Sequence, residues 1–224
     1  MNITAVPVIQ EEPVKKRISP MEFYDATIDA VAEVGLENFR TKMVGERTQY
    51  SEASLYNLFG NPGKDNMLCQ TFLEVDRRTS AVLLESPHFA ELQNAPDTDA
   101  FLAASRAIWE EMYDYLLSHK NETLFLLRFR YSALYPQVRS QRQAYNGAFA
   151  GVNELLRRLV GAPTNSYEGY LPGLAFELTL INAEKVVTGR LTETPELRDR
   201  VWNMVVEDLK IMIRIPDKTE GPAK

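Results

Sequence analysis

The 224-residue chain has one cysteine, Cys69, and two histidines, His88 and His119. A single thiol cannot close an intramolecular disulfide, which suits a reducing compartment, and two separated imidazoles do not make a histidine-rich metal centre. No uninterrupted apolar run of about 18 residues occurs, so no segment reads as a membrane span. The first stretch, MNITAVPVIQEEPVKKR, lacks a basic start followed by an apolar run and does not read as a signal peptide. A cytoplasmic protein is expected. A glycine-rich phosphate loop, paired Cys/His spacings and a G-x-S-x-G elbow are all missing. Neighbouring carboxylates such as Glu110 and Glu111 point apart on a helix, so no catalytic set emerges, and neither enzyme activity, metal nor cofactor is expected. Positive charge is also missing overall. The formal net charge of −6 excludes whole-surface attraction to nucleic acid, so any DNA contact has to be local.

What the chain does have is helical periodicity with clear punctuation. Hydrophobic residues make up 45% and charged residues 25%, a balance that supports a globular core. Residues 1–18, with Pro7, Pro13 and the cluster Lys15-Lys16-Arg17, read as a flexible arm. Ser19-Pro20-Met21-Glu22 then predicts a capping box with proline at the first helical position. Phe23, Thr27, Ala30, Val31 and Val34 follow at helical spacing and face a core, and Gly35 is the expected stop. A second short helix is expected near Arg40 to Thr48, with Phe39 and Val44 inward. Gly45 inside it costs roughly 1 kcal/mol relative to alanine, a cost that makes sense where a neighbouring helix approaches closely. Ser51 can cap a third helix in which Ala53, Leu55, Leu58 and Phe59 are apolar, while Glu52, Ser54, Tyr56 and Asn57 are polar or amphipathic. Two short helices joined by a tight turn outline a helix-turn-helix DNA reader.

The run Asp25-Ala26-Thr27-Ile28-Asp29-Ala30-Val31-Ala32-Glu33-Val34-Gly35 resembles the first helix of the TetR family of transcriptional regulators. Thr41 through Glu46-Arg47, and then Ser51-Glu52-Ala53-Ser54-Leu55-Tyr56-Asn57-Leu58-Phe59-Gly60, continue the likeness without a gap. The specific part is Ser-x-x-small-Leu-Tyr-x-x-Phe, because a generic helix-turn-helix does not require that tyrosine and phenylalanine. The resemblance implies DNA contacts from Thr41 and Lys42 on the second helix and from Glu52, Ser54, Tyr56 and Asn57 on the third. Arg40, Ser51 and Lys64 complete the DNA-facing candidates. The chemistry fits: hydroxyls and lysine satisfy phosphate oxygens, asparagine can pair with adenine, and a carboxylate can accept from cytosine. Residues 39 to 64 hold four basic side chains (Arg40, Lys42, Arg47, Lys64) against two acidic ones (Glu46, Glu52), enough for one local face. Two positions depart from the family pattern. Gln49 stands where the turn usually carries a left-handed glycine, a geometry that costs other residues roughly 1–2 kcal/mol. Pro62-Gly63 reads as an insertion that places Lys64 eight residues after Tyr56, where the family has six.

Beyond residue 60 the pattern predicts a long helix from Asn61 or Gly63 to about Leu84. A loop is expected over Ser86–Thr98, then a helix capped by Asp97 or Thr98 and running to His119. The segment NETLFLLRFRYSALY predicts a short apolar helix, and Pro136 opens another expected to end near Val160. The aromatics concentrated here form either a core or a small-molecule pocket, and the resemblance implies the pocket. Its candidate lining is Trp109, Met112, Tyr113, Phe125, Arg128, Phe129, Tyr145, Phe149 and Phe176. Of Arg128 and Arg130, one is expected to snorkel outward and the other to pair with an acidic ligand or an internal carboxylate. The last two helices, Leu171–Arg190 and Pro195–Ile215, lack a clear polar face and so call for burial on two sides. Leu174, Leu178, Ile181, Val201, Trp202, Val205 and Leu209 are the candidate dimer contacts, matching how the resembled family pairs.

The expected fold is all-α: an N-terminal three-helix reader over 19–66 after the arm at 1–18, a helical ligand-binding and dimerisation region over 67–216, and a polar tail at 217–224. The expected function is a homodimeric regulator that binds a palindromic double-stranded operator and is released as a repressor by an unknown small-molecule effector. The competing expectation is a helical dimer of the same fold that binds a protein partner or small molecule without specific DNA binding.

Overall fold

Helix starts in the N-terminal third follow from residues that cap helices or fit only their first turn. The computed structural model describes residues 19–60, 63–139, 141 and 171–214, with side chains described for 175–207 of the last stretch. Helix α1 (Pro20–Val34) begins on proline and buries Phe23, Ala26, Thr27, Ile28, Ala30 and Val31 on one face. Ser19 occupies the cap position but makes no side-chain cap bond, so that half of the expected capping box is not formed. Gly35 ends the helix at φ +82°, its N–H donating to the Val31 carbonyl. Helices α2 (Thr41–Thr48) and α3 (Glu52–Phe59) follow, and α4 (Gly63–Leu84) runs 22 residues away from them.

The stretch after α4 differs from the expected loop. Residues His88–Gln93 form a short helix, α5, because Ser86 accepts from the His88 N–H at 3.2 Å and Leu92 is buried against the following helix. Pro87, Asn94 and Pro96 bound this helix; they do not abolish it. Helix α6 (Thr98–Ser118) starts where Asp97 accepts from the Ala100 N–H at 2.8 Å, as expected. A single residue, His119, separates it from α7 (Lys120–Arg130), and Thr123 ties the corner by donating to the Leu116 carbonyl at 2.6 Å. Helix α8 covers Tyr135–Arg139; the expected continuation to Val160 lies outside the described residues. Helices α9 (Leu171–Val187) and α10 (Pro195–Arg214) pack on each other, and α9 also packs on α6 and α7.

Every regular element among the described residues is an α-helix. One continuous cluster of buried side chains runs from Phe23, Val44 and Leu55 through Met67, Phe72 and Val75 of α4 to Trp109, Phe129, Leu180 and Trp202. The expected boundary at 66–67 therefore does not separate two cores. Helix α4 belongs to both halves, and α7 packs on α1, α4, α6 and α9.

Candidate nucleic-acid interface

The turn between α2 and α3 is built from three residues. Gly45 is needed for space: a Cβ there would lie 2.9 Å from the Tyr50 carbonyl oxygen, a backbone atom that cannot swing aside. The close neighbour is thus the strand of chain entering α3, not the helix itself. Gln49 ends α2 in the left-handed region at φ 61°, ψ 16°, the geometry expected for a position usually held by glycine. Ser51 caps α3 by accepting from the Ser54 N–H at 3.2 Å.

Leu55 is the only buried residue of α3. It anchors the helix, and Phe23 packs beside it against Tyr50 and Phe59, with ring centroids 5.2 and 6.0 Å apart. The opposite face is left to solvent: Glu52, Ala53 and Asn57 are exposed, and Tyr56 and Leu58 are 46% and 39% exposed. Beneath Tyr56 lies Gly63. A Cβ at that position would come within 2.5 and 2.6 Å of the Tyr56 ring carbons, so the residue read as an insertion is the floor on which the tyrosine rests. Spacing carries no signal for this contact, because it joins residues of two different helices, α3 and α4.

The remaining candidates divide by what their polar atoms already do. Lys42 is exposed, with a loose 3.7 Å pair to Glu46. Thr41 donates to Glu52 at 3.4 Å, placing hydroxyl and carboxylate side by side where α2 meets α3. Ser54 is half-buried and its hydroxyl sits 3.0 Å from that of Ser51, so both serve the cap of α3. Arg40 donates to the carbonyls of Glu37 and Phe39 at 3.0 and 2.9 Å, bracing the turn before α2. Lys64 is half-buried, its ammonium 5.8 Å from the Phe39 ring centroid. The exposed side chains of this face are therefore Lys42, Glu52, Tyr56 and Asn57, with the half-buried Thr41 and Lys64 at its margins.

The candidate pocket residues fall into three sets. Trp109, Met112 and Tyr113 are buried; the Trp109 ring stacks on Tyr113 at 5.1 Å, touches Trp202 at 5.5 Å, and donates from Nε1 to Thr179 at 2.9 Å. Phe125 and Phe129 stack at 5.9 Å, with Phe72 on Phe129 at 4.6 Å, so these rings fill one another's faces. Tyr145 and Phe149 lie outside the described residues. Arg128 leaves the aromatic set altogether. Its guanidinium donates to the Val31 carbonyl at the end of α1, which corrects its assignment to the pocket. Arg130 takes the internal-carboxylate role, 3.5 Å from Glu177 and within 5.5 Å of the Tyr135 and Phe176 ring centroids.

The dimer candidates need a correction too. Val201, Trp202 and Val205 are 1%, 9% and 2% exposed within the single chain, so they face its own core and are not free for a partner. The outward side of α10 is mostly polar, with Asp199, Arg200 and Asn203 exposed, but it also carries Met204, 51% exposed. Leu178 and Ile181 of α9 remain half-buried, while the side chains of Leu174 and Leu209 lie outside the described residues. Among the described residues no group of three or more His, Cys, Asp or Glu is placed to hold a metal ion, and no helix is long and apolar enough to cross a membrane.

No protein-family model and no curated protein matches the chain. Solved structures do match it. A TetR family transcription regulator from Marinobacter aquaeolei VT8 superposes with a TM-score of 0.65 at 17% identity, covering 84% of this chain and 93% of that one. A putative TetR family regulator from Shewanella sp. PV-4 gives 0.64 at 13% identity, over 86% and 96% of the two chains. The transcriptional regulator FadR from Bacillus subtilis, solved in complex with stearoyl-CoA, gives 0.62 at 13% identity, over 84% and 98%. The chain thus has the fold of the TetR-type regulators across nearly its whole described length.

Proposed function

We propose that the chain is a TetR-type transcriptional regulator that reads double-stranded DNA with α3. The observation that carries this reading is the outward face of α3: Glu52, Tyr56 and Asn57 stand exposed beyond a left-handed turn, on a helix anchored by one buried leucine. A helix of that build enters the major groove, where asparagine and glutamate meet base edges and lysine and tyrosine meet phosphate. The regulator works as a two-fold dimer on a palindrome, with half-sites about one helical turn, ~34–36 Å, apart. The half-buried Leu178 and Ile181 on α9 and the exposed Met204 on α10 are the apolar groups available to a second copy. A small ligand that binds better to a dimer with displaced reading heads releases the DNA, and the protein acts as a repressor. Acyl-CoA thioesters are the first ligands to try, because the similarly folded FadR was solved with stearoyl-CoA.

Selection of bound duplexes from a random pool tests the reading. A palindrome is expected, bound at least tenfold more weakly by Tyr56→Ala and Lys42→Ala. Specific binding insensitive to both changes would overturn the site assignment. Absence of binding at low salt would favour a helical dimer that engages a protein or small molecule without DNA.

A further inference from the structure

Three nitrogens of one guanidinium, on Arg78 in α4, reach three different helices. Nε donates to Glu74 of α4 at 3.0 Å, Nη1 to Glu122 of α7 at 2.7 Å, and Nη2 to Asp25 of α1 at 2.9 Å. The surroundings hold these acceptors still. Glu122 and Glu74 are 11% and 12% exposed at their side chains; Tyr115 of α6 donates to the second Glu122 oxygen at 2.5 Å, and Arg77 grips Glu74 through two bonds at 2.8 and 2.9 Å. Two more bonds tie the same pair of helices. Asn121 donates to Asp29 at 2.8 Å, and Arg128 donates to the Val31 carbonyl. At its far end α7 is held to α9 through Arg130 and Glu177.

Apolar packing between α1, α4 and α7 supplies attraction but little direction, since hydrophobic burial is proportional to area and insensitive to small slides. A planar fork with three committed acceptors does the opposite: it allows one mutual placement of the helices it joins. Resting on the DNA-reading proposal above, we propose that Arg78 is the positioning residue that sets the angle of the reading head on the body, with α7 as the strut. It touches no DNA. A body movement that shifts α7 relative to α4 pulls Glu122 away from the fork, and Asp25 loses its fixed partner in the same event. The reading head then swings and half-site spacing is lost.

The test uses the full chain carrying Cys69→Ser, with spin labels on Glu37→Cys in the turn after α1 and Asp99→Cys in α6, both exposed and outside the proposed DNA face, diluted with unlabelled chain. Arg78→Met strips the cation from two little-exposed carboxylates and can simply unfold the protein, so the informative variant is Asp25→Ala, whose side chain is 57% exposed. The parent is expected to give a narrow label-to-label distance distribution, and Asp25→Ala a distribution about twice as wide with the melting temperature within about 2 °C of the parent. Arg78→Lys keeps the charge but not the fork, and is expected to widen the distribution as well. DNA affinity is expected to fall about tenfold in Asp25→Ala while the slope of log affinity against log salt stays unchanged, because no phosphate contact is removed. The sign is diagnostic: deleting a carboxylate favours DNA on electrostatic grounds alone, so raised affinity would overturn the link to DNA binding. Unchanged distance distributions in both variants would overturn the clamp itself, whatever the DNA result. A widened distribution in a protein whose parent binds no DNA supports the clamp and overturns the DNA reading instead.

Discussion

Tyr56 of α3 lies against Gly63 at the start of α4, the tyrosine ring lying where a Cβ would have to be. Gly63→Ala is expected to lift the ring from its seat, at a cost of about 1–3 kcal/mol typical of overpacking, and to weaken DNA binding. Because the loss acts through Tyr56, Gly63→Ala should add little to Tyr56→Ala in a gel-shift series; full additivity would mean that the two residues act separately. Gln49 is the other residue under local constraint. Its left-handed φ of 61° is unfavourable for any side chain. Gln49→Gly is expected to raise stability by up to about 1 kcal/mol, the relief of the steric cost less the extra freedom glycine has when unfolded. A denaturant midpoint that falls would show that Gln49 makes compensating contacts. The left-handed position at Gln49 was legible only through the resemblance to the TetR family, whose pattern puts glycine there, while Gly45 stood out as a glycine inside a helix. Gly63 did not, because nothing in its neighbours tells which side chain will lie over it.

At the scale of elements, caps carry the helices and charge fixes their relations. Asp97 accepts from the Ala100 N–H, and Asp97→Ala is expected to cost about 0.5–2 kcal/mol, read as a lowered melting temperature without change in DNA contacts. Glu74 shows the second role. Its hydrogen bonds from Arg77, opposed by burial and reinforced by Arg78, hold its carboxyl below the ordinary value of 4.5. A carboxyl lowered by folding adds stability that is complete above its unfolded value and is lost as pH falls through the folded one. The parent should therefore lose stability more steeply than Glu74→Gln below about pH 4.5, measured as denaturant midpoints across pH. Parallel curves would show that Glu74 is not linked to folding. The short α5 illustrates why the loop expectation for 86–98 missed a helix. Proline and asparagine at its two ends carried the turn signal, while the apolar residues that make it worth folding, Leu92 and Phe89, count only once α6 is beside them.

For the whole molecule the proposed dimer rests on the faces of α9 and α10 that the chain's own core leaves uncovered. Trp202 lies against Trp109 inside one chain, so Trp202→Ala is expected to cost about 3–5 kcal/mol of folding stability. Ile181 is half-buried in the single chain, and Ile181→Glu is expected to shift the protein from dimer to monomer in sedimentation while the far-UV helix signal is kept. A dimer that survives Ile181→Glu at micromolar concentration would place the interface elsewhere. Periodicity alone cannot separate these two faces. A helix apolar nearly all round, as α9 is, announces two buried sides, and only its packing on α6, α7 and α10 decides which side is inward.

Residue types and spacing by themselves determined the helical class and the short helices over 19–60, through caps, breakers and a periodicity of 3.6; the left-handed position at Gln49 and the candidate DNA-facing residues came from the resemblance to the TetR family. The tertiary structure decided the rest: that Arg128 reaches α1, that Val201, Trp202 and Val205 turn inward, and that Arg78 binds three helices at once. The hydrogen bonds among them that cross between helices join positions 44 to 97 residues apart. Their partners are chosen by the packing of whole helices, which no local stretch of sequence encodes.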